Sequence, residues 1–180
     1  MRITVIRHEQ VDMSWDQKYN SATYDLACSK YDKCPIVLPR GGYPKIDDTK
    51  TVYVSELSRT YETACRLFEK SDFIKTALLN EVPLKSFKET NKMYPLWIWN
   101  FIGRVQWFIQ SNRQEESKKG TITRAKGMID LLEERQEDCY LITHGFYMKV
   151  FIKELKKQGY KIRNNHILGI SNLGMIVAVK

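Results

Sequence analysis

Two histidines, two arginines and a glutamate stand at or just beyond the ends of short apolar runs: Arg7, His8, Arg59, Glu81 and His144. Two guanidinium groups can hold a tetrahedral phosphate through paired hydrogen bonds and offset its charge. A neutral imidazole is a competent nucleophile, and a carboxylic acid can protonate a departing alkoxide. A second imidazole, protonated among anionic oxygens, can stabilise the transition state. These residue types suit phosphoryl transfer without a cofactor, and no metal-ligand spacing such as HExxH is present.

These side chains can meet only if the apolar runs before them are neighbouring strands. The pattern predicts strands over residues 3–6, 51–54, 75–79 and 139–143, with a closing strand over 174–179. Amphipathic helices are predicted at about 58–70, 121–134 and from 145 to 158. Alternating strands and helices favour a three-layer α/β/α fold with a mostly parallel central sheet. Ligands of such sheets bind beyond the carboxyl ends of the strands, where the candidate residues stand.

The basic charge of the chain allows two interpretations. The net charge is +8 over 180 residues, so a basic surface could bind nucleic acid or a membrane, or a local pocket could bind a small anion. The basic residues are scattered among acidic ones, without a run of five or more like charges. We therefore expect a small phosphorylated metabolite as the partner, and neither nucleic acid nor membrane.

Cysteine usage and hydropathy indicate the compartment. The four cysteines, Cys28, Cys34, Cys65 and Cys139, form no CxxC pattern, and Cys65 and Cys139 fit small core positions. The start of the chain does not resemble a secretory signal, and no apolar stretch reaches the length of a membrane span. These features favour a cytoplasmic protein with free thiols.

Two irregular stretches interrupt the alternation of strands and helices. The length suits a single domain over residues 1–180, with cap or lid insertions near 11–50 and 85–119 and one helix predicted at about 23–31. The aromatic segment 93–110 favours a packing helix, and a lid over the substrate is the alternative. Contacts to the leaving group should come from these stretches; the candidates are Trp15, Tyr19, Lys88, Trp97 and Trp99.

Four motifs follow one another along the chain. The first is a strand that ends in Arg-His, and the second is Ser-x-Leu-x-Arg-x-x-x-Thr-Ala. The third is an acid after Leu-x, and the fourth is an apolar strand followed by His-Gly. In this chain they are Val5-Ile6-Arg7-His8-Glu9-Gln10, Ser55 to Ala64, Leu79-Asn80-Glu81 and Leu141-Ile142-Thr143-His144-Gly145. In this order they resemble the histidine phosphatase superfamily, also called phosphoglycerate mutase-like (branch 1).

The resemblance implies a phosphoglycerate mutase-like fold and a role for each matching residue. His8 would attack phosphorus and become a phosphohistidine, while Arg7, Arg59 and His144 would bind the phosphoryl oxygens. Glu81 would protonate the leaving group and then assist water. Further phosphate contacts are expected from Gln10, Ser14 and Gly145.

Some of these assignments have alternatives. Glu62 and Glu89 could replace Glu81 as the acid, and His166 lies outside every motif, where a surface or core role is expected. The family usually has a small residue in place of Glu9, whose carboxylate would repel an anion if it pointed inward. It could instead orient Arg7 or meet a cationic group. Ser14 stands where many members have Asn, and a hydroxyl still donates to phosphate.

The leading prediction is a cofactor-independent phosphatase acting on a small phosphate monoester. Three alternatives stay open: a mutase of the phosphoglycerate type, a protein phosphohistidine phosphatase, and a non-catalytic module that binds a phosphate ligand. The chain is shorter than typical mutases of the family, which favours hydrolysis, and its long irregular stretches favour a small substrate. The sequence leaves the oligomeric state and the substrate open.

Overall fold

A computed structural model describes residues 1–37, 45–46, 49–163 and 170–180. The strands are β1 (Arg2–Arg7), β2 (Lys18–Tyr19), β3 (Thr51–Val54), β4 (Ile74–Lys75), β5 (Tyr94–Pro95), β6 (Cys139–Thr143), β7 (Lys161–Arg163) and β8 (Met175–Val179). The helices are α1 (Ser21–Lys33), α2 (Ser58–Leu67), α3 (Leu96–Phe108), α4 (Lys118–Arg135) and α5 (Gly145–Lys157), with a short 3-10 helix over Ala77–Leu79.

The central sheet has the strand order β4-β3-β6-β1-β8-β7. Strands β4, β3, β6 and β1 are parallel, whereas β8 runs antiparallel to β1 and β7 antiparallel to β8. The register pairs Arg7 with Thr143 and Val54 with Ile142. The residues that follow β1, β3 and β6 therefore lie at one edge of the sheet. The predicted mixed α/β fold with a mostly parallel sheet is confirmed.

Glu81 reaches this edge by a different route from the one predicted. The strand expected over 75–79 is wrong: only Ile74 and Lys75 pair with β3, and the chain then turns into the 3-10 helix. The side chain of Thr76 accepts a hydrogen bond from the backbone N–H of Leu78, which stabilises this turn. Leu79 is then buried in the core, which fixes the position of the following residues.

Several helix boundaries also differ from the prediction, and α2 ends at Leu67 instead of residue 70. Helix α1 spans 21–33 instead of 23–31, because Asn20 and Thr23 form a reciprocal capping box at its start. Helix α4 is capped by Ser117 and not by Thr121. Thr121 is buried instead, where its hydroxyl accepts a hydrogen bond from the indole N–H of Trp107.

The irregular stretches pack on each other through an aromatic cluster. Trp99 of α3 is fully buried, stacks on Tyr24 of α1 and donates its indole N–H to the carbonyl of Tyr19. The short β2–β5 pair joins the same two stretches. They therefore pack together beside the edge of the sheet that carries the candidate residues. The division into a domain with cap insertions stays a prediction, and residues 38–44 and 47–48 of the first insertion lie outside the described residues.

The four cysteines are all free thiols. Cys139 is buried in the core, whereas Cys65 is exposed. Within the described ranges, no helix combines the length and the apolar character needed to cross a membrane. His166 lies outside the described residues.

Candidate active site

His8 follows β1 and is held by the backbone on both sides. Its N–H donates to the carbonyl of Thr143 at 2.9 Å, and its ring Nδ1 lies 2.5 Å from the carbonyl oxygen of Glu9. Because a carbonyl can only accept, Nδ1 carries the proton and Nε2 keeps its lone pair. The bond therefore fixes the tautomer that a nucleophilic imidazole needs.

The surroundings of His8 keep it neutral. The side chain is 2% exposed. Burial, and next the Arg59 cation, lower the pKa of His8 to about 3. The hydrogen bond to the Glu9 carbonyl raises it, and the Arg7 cation lowers it by less than that bond raises it. At physiological pH the ring is therefore neutral, with Nε2 unprotonated and able to act as a nucleophile.

His144 follows β6 and lies beside His8, with 4.9 Å between the ring centroids. Its Nδ1 accepts from Arg59 Nε at 3.1 Å, so the proton of the neutral ring sits on Nε2, 2.8 Å from the hydroxyl oxygen of Ser55. Burial, His8 and Arg59 hold the pKa of His144 well below its usual range. In the unliganded site this ring is thus neutral, and the expected imidazolium would need the negative charge of a bound phosphate.

Ser55 and Thr60 orient His144. Both are fully buried, and their hydroxyl oxygens are 2.9 Å apart. The hydroxyl of Thr60 lies within hydrogen-bond distance of the carbonyls of Leu57 and Ser55. Hydrogen bonds therefore connect His144, through the two hydroxyls, to the backbone at the start of α2. The sequence indicated Ser55 as part of a motif, but its role as the partner of His144 depends on the packing of β3 against β6.

Arg7, the last residue of β1, keeps donors free for a ligand. Its Nη1 donates to the carbonyl of Ile170 at 2.6 Å, and within the described part of the chain its Nε is buried without a hydrogen-bond partner. A buried N–H without an acceptor is costly. An anion beside Arg7 would satisfy it.

Arg59, in the first turn of α2, is buried and held by two residues that the sequence did not indicate. Its Nη1 donates to a carboxylate oxygen of Asp32 at 3.0 Å, and its guanidinium lies over the ring of Tyr31, 5.0 Å from the centroid. Both partners come from the last turn of α1. Their irregular stretch carries no motif, so no sequence signal could have placed them here.

The carboxylate of Glu81 lies at the N-terminus of α5. It accepts hydrogen bonds from the backbone N–H groups of Tyr147 and Val82, both at 2.9 Å, and of Phe146 at 3.2 Å. The helix start lacks a side-chain cap from His144, and Glu81 takes that role. The two glutamates that could replace Glu81 as the acid lie elsewhere. Glu62 accepts a hydrogen bond from the backbone N–H of Ile36, and neither Glu62 nor Glu89 lines the cleft beside Glu81.

A cleft of about 1170 Å³ opens next to these residues. Arg7, Arg59 and Glu81 line it, together with residues of α1 and α3. Of the predicted leaving-group contacts, Trp15 lines the cleft, whereas Tyr19, Lys88, Trp97 and Trp99 do not. Trp99 belongs to the core, and Trp97 is exposed.

The structure brings Arg7, His8, Arg59, Glu81 and His144 together but not every predicted phosphate contact. Gln10 and Ser14 are exposed and do not line the cleft. Their phosphate-binding role stays a prediction. The backbone N–H of Glu9 donates to the hydroxyl of Thr63, and its carboxylate accepts from the N–H of Gln10.

Comparison with known proteins agrees with this geometry. The sequence profile of the histidine phosphatase superfamily (branch 1) matches residues 43–178. This chain belongs to that superfamily. The resemblance to this superfamily is thereby confirmed, and the matched residues include the second, third and fourth motifs. A search of curated proteins finds no match to this chain.

Solved structures share its fold at low sequence identity. A phosphoserine phosphatase mutant from Entamoeba histolytica, in complex with phosphoserine, has a TM-score of 0.60 at 14% identity, covering 98% of this chain and 89% of that one. The same enzyme in complex with 3-phosphoglyceric acid has a TM-score of 0.59 at 14% identity, covering 98% of this chain and 89% of that one. The mycobacterial glucosyl-3-phosphoglycerate phosphatase in complex with VO3 has a TM-score of 0.51 at 15% identity, covering 98% of this chain and 91% of that one. These neighbours are phosphatases that bind small phosphorylated ligands or a phosphate analogue.

Proposed function

We propose that this histidine phosphatase hydrolyses a small phosphate monoester through a phosphohistidine on His8. The proposal rests on the hydrogen bonding of two neighbouring residues at the end of β1, His8 and Arg7. The Glu9 carbonyl binds the Nδ1 proton of His8 and leaves Nε2 as a nucleophile, while Arg7 has a buried N–H without an acceptor. A nucleophile beside an unused cationic donor is the arrangement expected before a phosphate binds.

The reaction would have two balanced steps. In the first, His8 Nε2 attacks phosphorus, the bond to the leaving oxygen breaks, and a protonated Glu81 gives that oxygen its proton. In the second, Glu81 takes a proton from water, the water oxygen attacks phosphorus, and the bond to His8 breaks. Arg7 and Arg59 would offset the charge of the phosphoryl oxygens in both steps.

Binding of the phosphate would require a local exchange of partners. Arg59 is paired with the carboxylate of Asp32, and His8 is almost inaccessible. A substrate phosphate carries more charge than one carboxylate and can accept from both arginines at once, so it would displace Asp32 from Arg59. The half-exposed Asp32 side chain would then turn to solvent.

Arg104 supports a narrower substrate class. This arginine of α3 lines the cleft, lies over the Phe146 ring at 3.7 Å and donates one hydrogen bond, to the carbonyl of Val82. Among the described residues it makes no ion pair. Burial lowers its pKa. Because it lies near Glu81, a leaving group protonated by Glu81 would extend toward this cation. We therefore favour a substrate that carries a second anionic group, as phosphoserine and 3-phosphoglycerate do.

The test of the reaction uses p-nitrophenyl phosphate in the presence of EDTA. We expect turnover by the wild type, a loss of at least about 10³-fold in His8→Asn, and an acid-labile, base-stable phosphoryl group on His8 after rapid quenching. Asp130→Asn, an exposed change on α4, is the control and should keep full activity. Tight phosphate binding without turnover or trapped phosphohistidine would instead support the non-catalytic alternative.

The substrate class is tested with two matched esters, 3-phosphoglycerate and glycerol 3-phosphate, which differ by a carboxylate in place of a hydroxymethyl group. We expect the wild type to prefer the acid in kcat/KM by about 10- to 100-fold, the effect of one charge-assisted contact. Arg104→Gln should remove the preference and leave glycerol 3-phosphate hydrolysis nearly unchanged, whereas the exposed Arg135→Gln should keep it. Equal rates on both esters in the wild type would contradict this class without affecting the phosphohistidine.

A further inference from the structure

Helix α3 is apolar on two opposite sides. Its inner side, with Trp99, Gly103 and Trp107, is buried. Its outer side carries large apolar side chains at helical spacing, which we call the outer stripe of α3: Trp97, Phe101, Val105, Phe108 and the following Ile109, exposed by 66%, 63%, 41%, 58% and 65%. A surface helix normally has one apolar side, which faces the core, so a second apolar side is expected to be covered by another surface. The outer stripe is therefore a candidate interface.

The outer stripe lies at the upper end of the apolar area that a monomer usually exposes in one patch. Aromatic side chains offer about 150–250 Å² each and aliphatic ones somewhat less, so the stripe leaves on the order of 500–600 Å² of apolar surface in contact with water. The largest patch on a typical monomer is about 300–600 Å², and such patches often mark interaction sites. Two copies face to face would bury about 1,100 Å² from these side chains alone, near the roughly 1,200 Å² at which stable interfaces begin.

The chemistry of α3 favours a protein over a lipid surface. Residues 96–109 contain a single charged side chain, Arg104, which turns to the cleft and lies over Phe146. Helices that bind membrane surfaces carry Lys and Arg along their polar face. The cores of protein interfaces are instead poor in charge and rich in aromatic residues. The outer stripe has no charged side chain of its own and is rich in aromatic residues, and Lys118 of α4 lies over its Phe108 ring, 3.7 Å from the centroid.

The spacing of the outer stripe suits a second copy of the same helix. Trp97, Phe101 and Val105 follow one row at intervals of four residues, and Phe108 continues the stripe. Rows of this kind on two helices interdigitate at a crossing angle of about −50°. A two-fold axis through such a contact lets one patch serve both partners. We propose that the outer stripe of α3 is a homodimer interface, in which α3 packs against α3 of a second copy.

The dimer would also support the cleft. The same helix contributes Asn100 and Arg104 to the cleft wall, and Asn100 accepts a hydrogen bond from the hydroxyl of Tyr24 in α1. Covering the outer stripe would hold this wall in place from behind. The proposal does not depend on the reaction, because it rests on the surface of α3 and not on His8.

The test measures molar mass by light scattering after size exclusion, over roughly two decades of concentration in the micromolar range. We expect the wild type at twice the 21.2 kDa of one chain. Phe101→Glu and, separately, Val105→Glu should shift it to the monomer. Leu26→Glu is the matched control, since Leu26 is 69% exposed on α1 and lies outside the stripe, and it should stay dimeric. Far-UV circular dichroism of each variant should match the wild type.

Three outcomes would overturn the proposal. The first is a wild type that stays monomeric through the whole range, with or without vesicles of anionic phospholipid. The second is a dimer that survives in folded forms of both Phe101→Glu and Val105→Glu. The third is a dimer that Leu26→Glu dissociates while the two stripe variants keep it, which would place the interface on α1.

Discussion

Gly145 and Arg7 are in contact across the end of the sheet. A Cβ added to Gly145 would lie 3.0 Å from Nε and 3.1 Å from Cζ of Arg7, closer than side chains ordinarily pack. The glycine of the His-Gly motif therefore leaves the space that the guanidinium of the Arg-His motif occupies. Two motifs far apart in sequence, at the ends of β1 and β6, are thus packed against each other at the proposed phosphate site.

We predict that Gly145→Ala lowers kcat/KM for p-nitrophenyl phosphate by at least about tenfold, because the new methyl group displaces the Arg7 guanidinium and small displacements of positioning groups are costly. Gly127→Ala is the matched control. A Cβ there meets only Leu78, at 3.8 Å, and alanine in the middle of α4 should favour the helix. Comparable losses in both variants would mean that the effect is general and does not act through Arg7.

The two buried histidines should make folding sensitive to acid. The folded-state pKa of His8, about 3, lies below its ordinary value of 6.5, and that of His144 is also lowered. As pH falls below 6.5, the unfolded chain gains protons that the folded chain does not, so stability is lost until the pKa of the folded state is reached. Each such group contributes up to about 1.4 kcal/mol per pH unit in this window.

His8→Asn should reduce this acid sensitivity. Between pH 6.5 and 5 the free energy of unfolding of the wild type should fall by up to about 2 kcal/mol more than that of the variant. Urea denaturation at the two pH values measures the difference, and comparing the variant with the wild type cancels the carboxylates common to both. Parallel decreases in the two proteins would show that His8 is not held neutral by the fold.

Glu81→Gln should show a dependence on the leaving group. An amide keeps the size of the side chain but cannot give a proton to an alkoxide, so hydrolysis of an alkyl phosphate should fall by about 10²–10⁴-fold. Hydrolysis of p-nitrophenyl phosphate should fall much less in its first step, since nitrophenolate leaves without a proton. Single-turnover release of each alcohol measures this, and an equal loss on both esters would assign Glu81 a structural role at the start of α5.

Asp32→Asn should strengthen anion binding. The Asp32 carboxylate competes with phosphate for Arg59, and the amide removes its charge while keeping its shape. We expect the inhibition constant of inorganic phosphate to fall by about three- to tenfold, the effect of removing a nearby like charge in a partly exposed place. Asp130→Asn should leave the constant unchanged, and weaker inhibition in Asp32→Asn would indicate that the ion pair positions Arg59 for phosphate.

The sequence predicted most of the framework from local patterns. The bounds of β3 and β6 agree with the predicted strands, and β1 extends the predicted one by a residue at each end. Each of these buried strands is a short β-branched or aliphatic run, which is a strong local signal. β4 and β7 are strands of two and three residues at the two edges of the sheet, and they are too short for a local pattern to identify them.

The sequence by itself determined which residue types follow each strand, and the parallel order of β3, β6 and β1 made their meeting predictable. Only the tertiary structure decided which of their atoms bind one another. The tautomer of His8 depends on the direction of one carbonyl, and that of His144 on the approach of Arg59 from another helix. Asp32, Ser55 and Arg104 gained their hydrogen-bond partners in the same way, because burial and long-range packing set these partners and no local pattern encodes them.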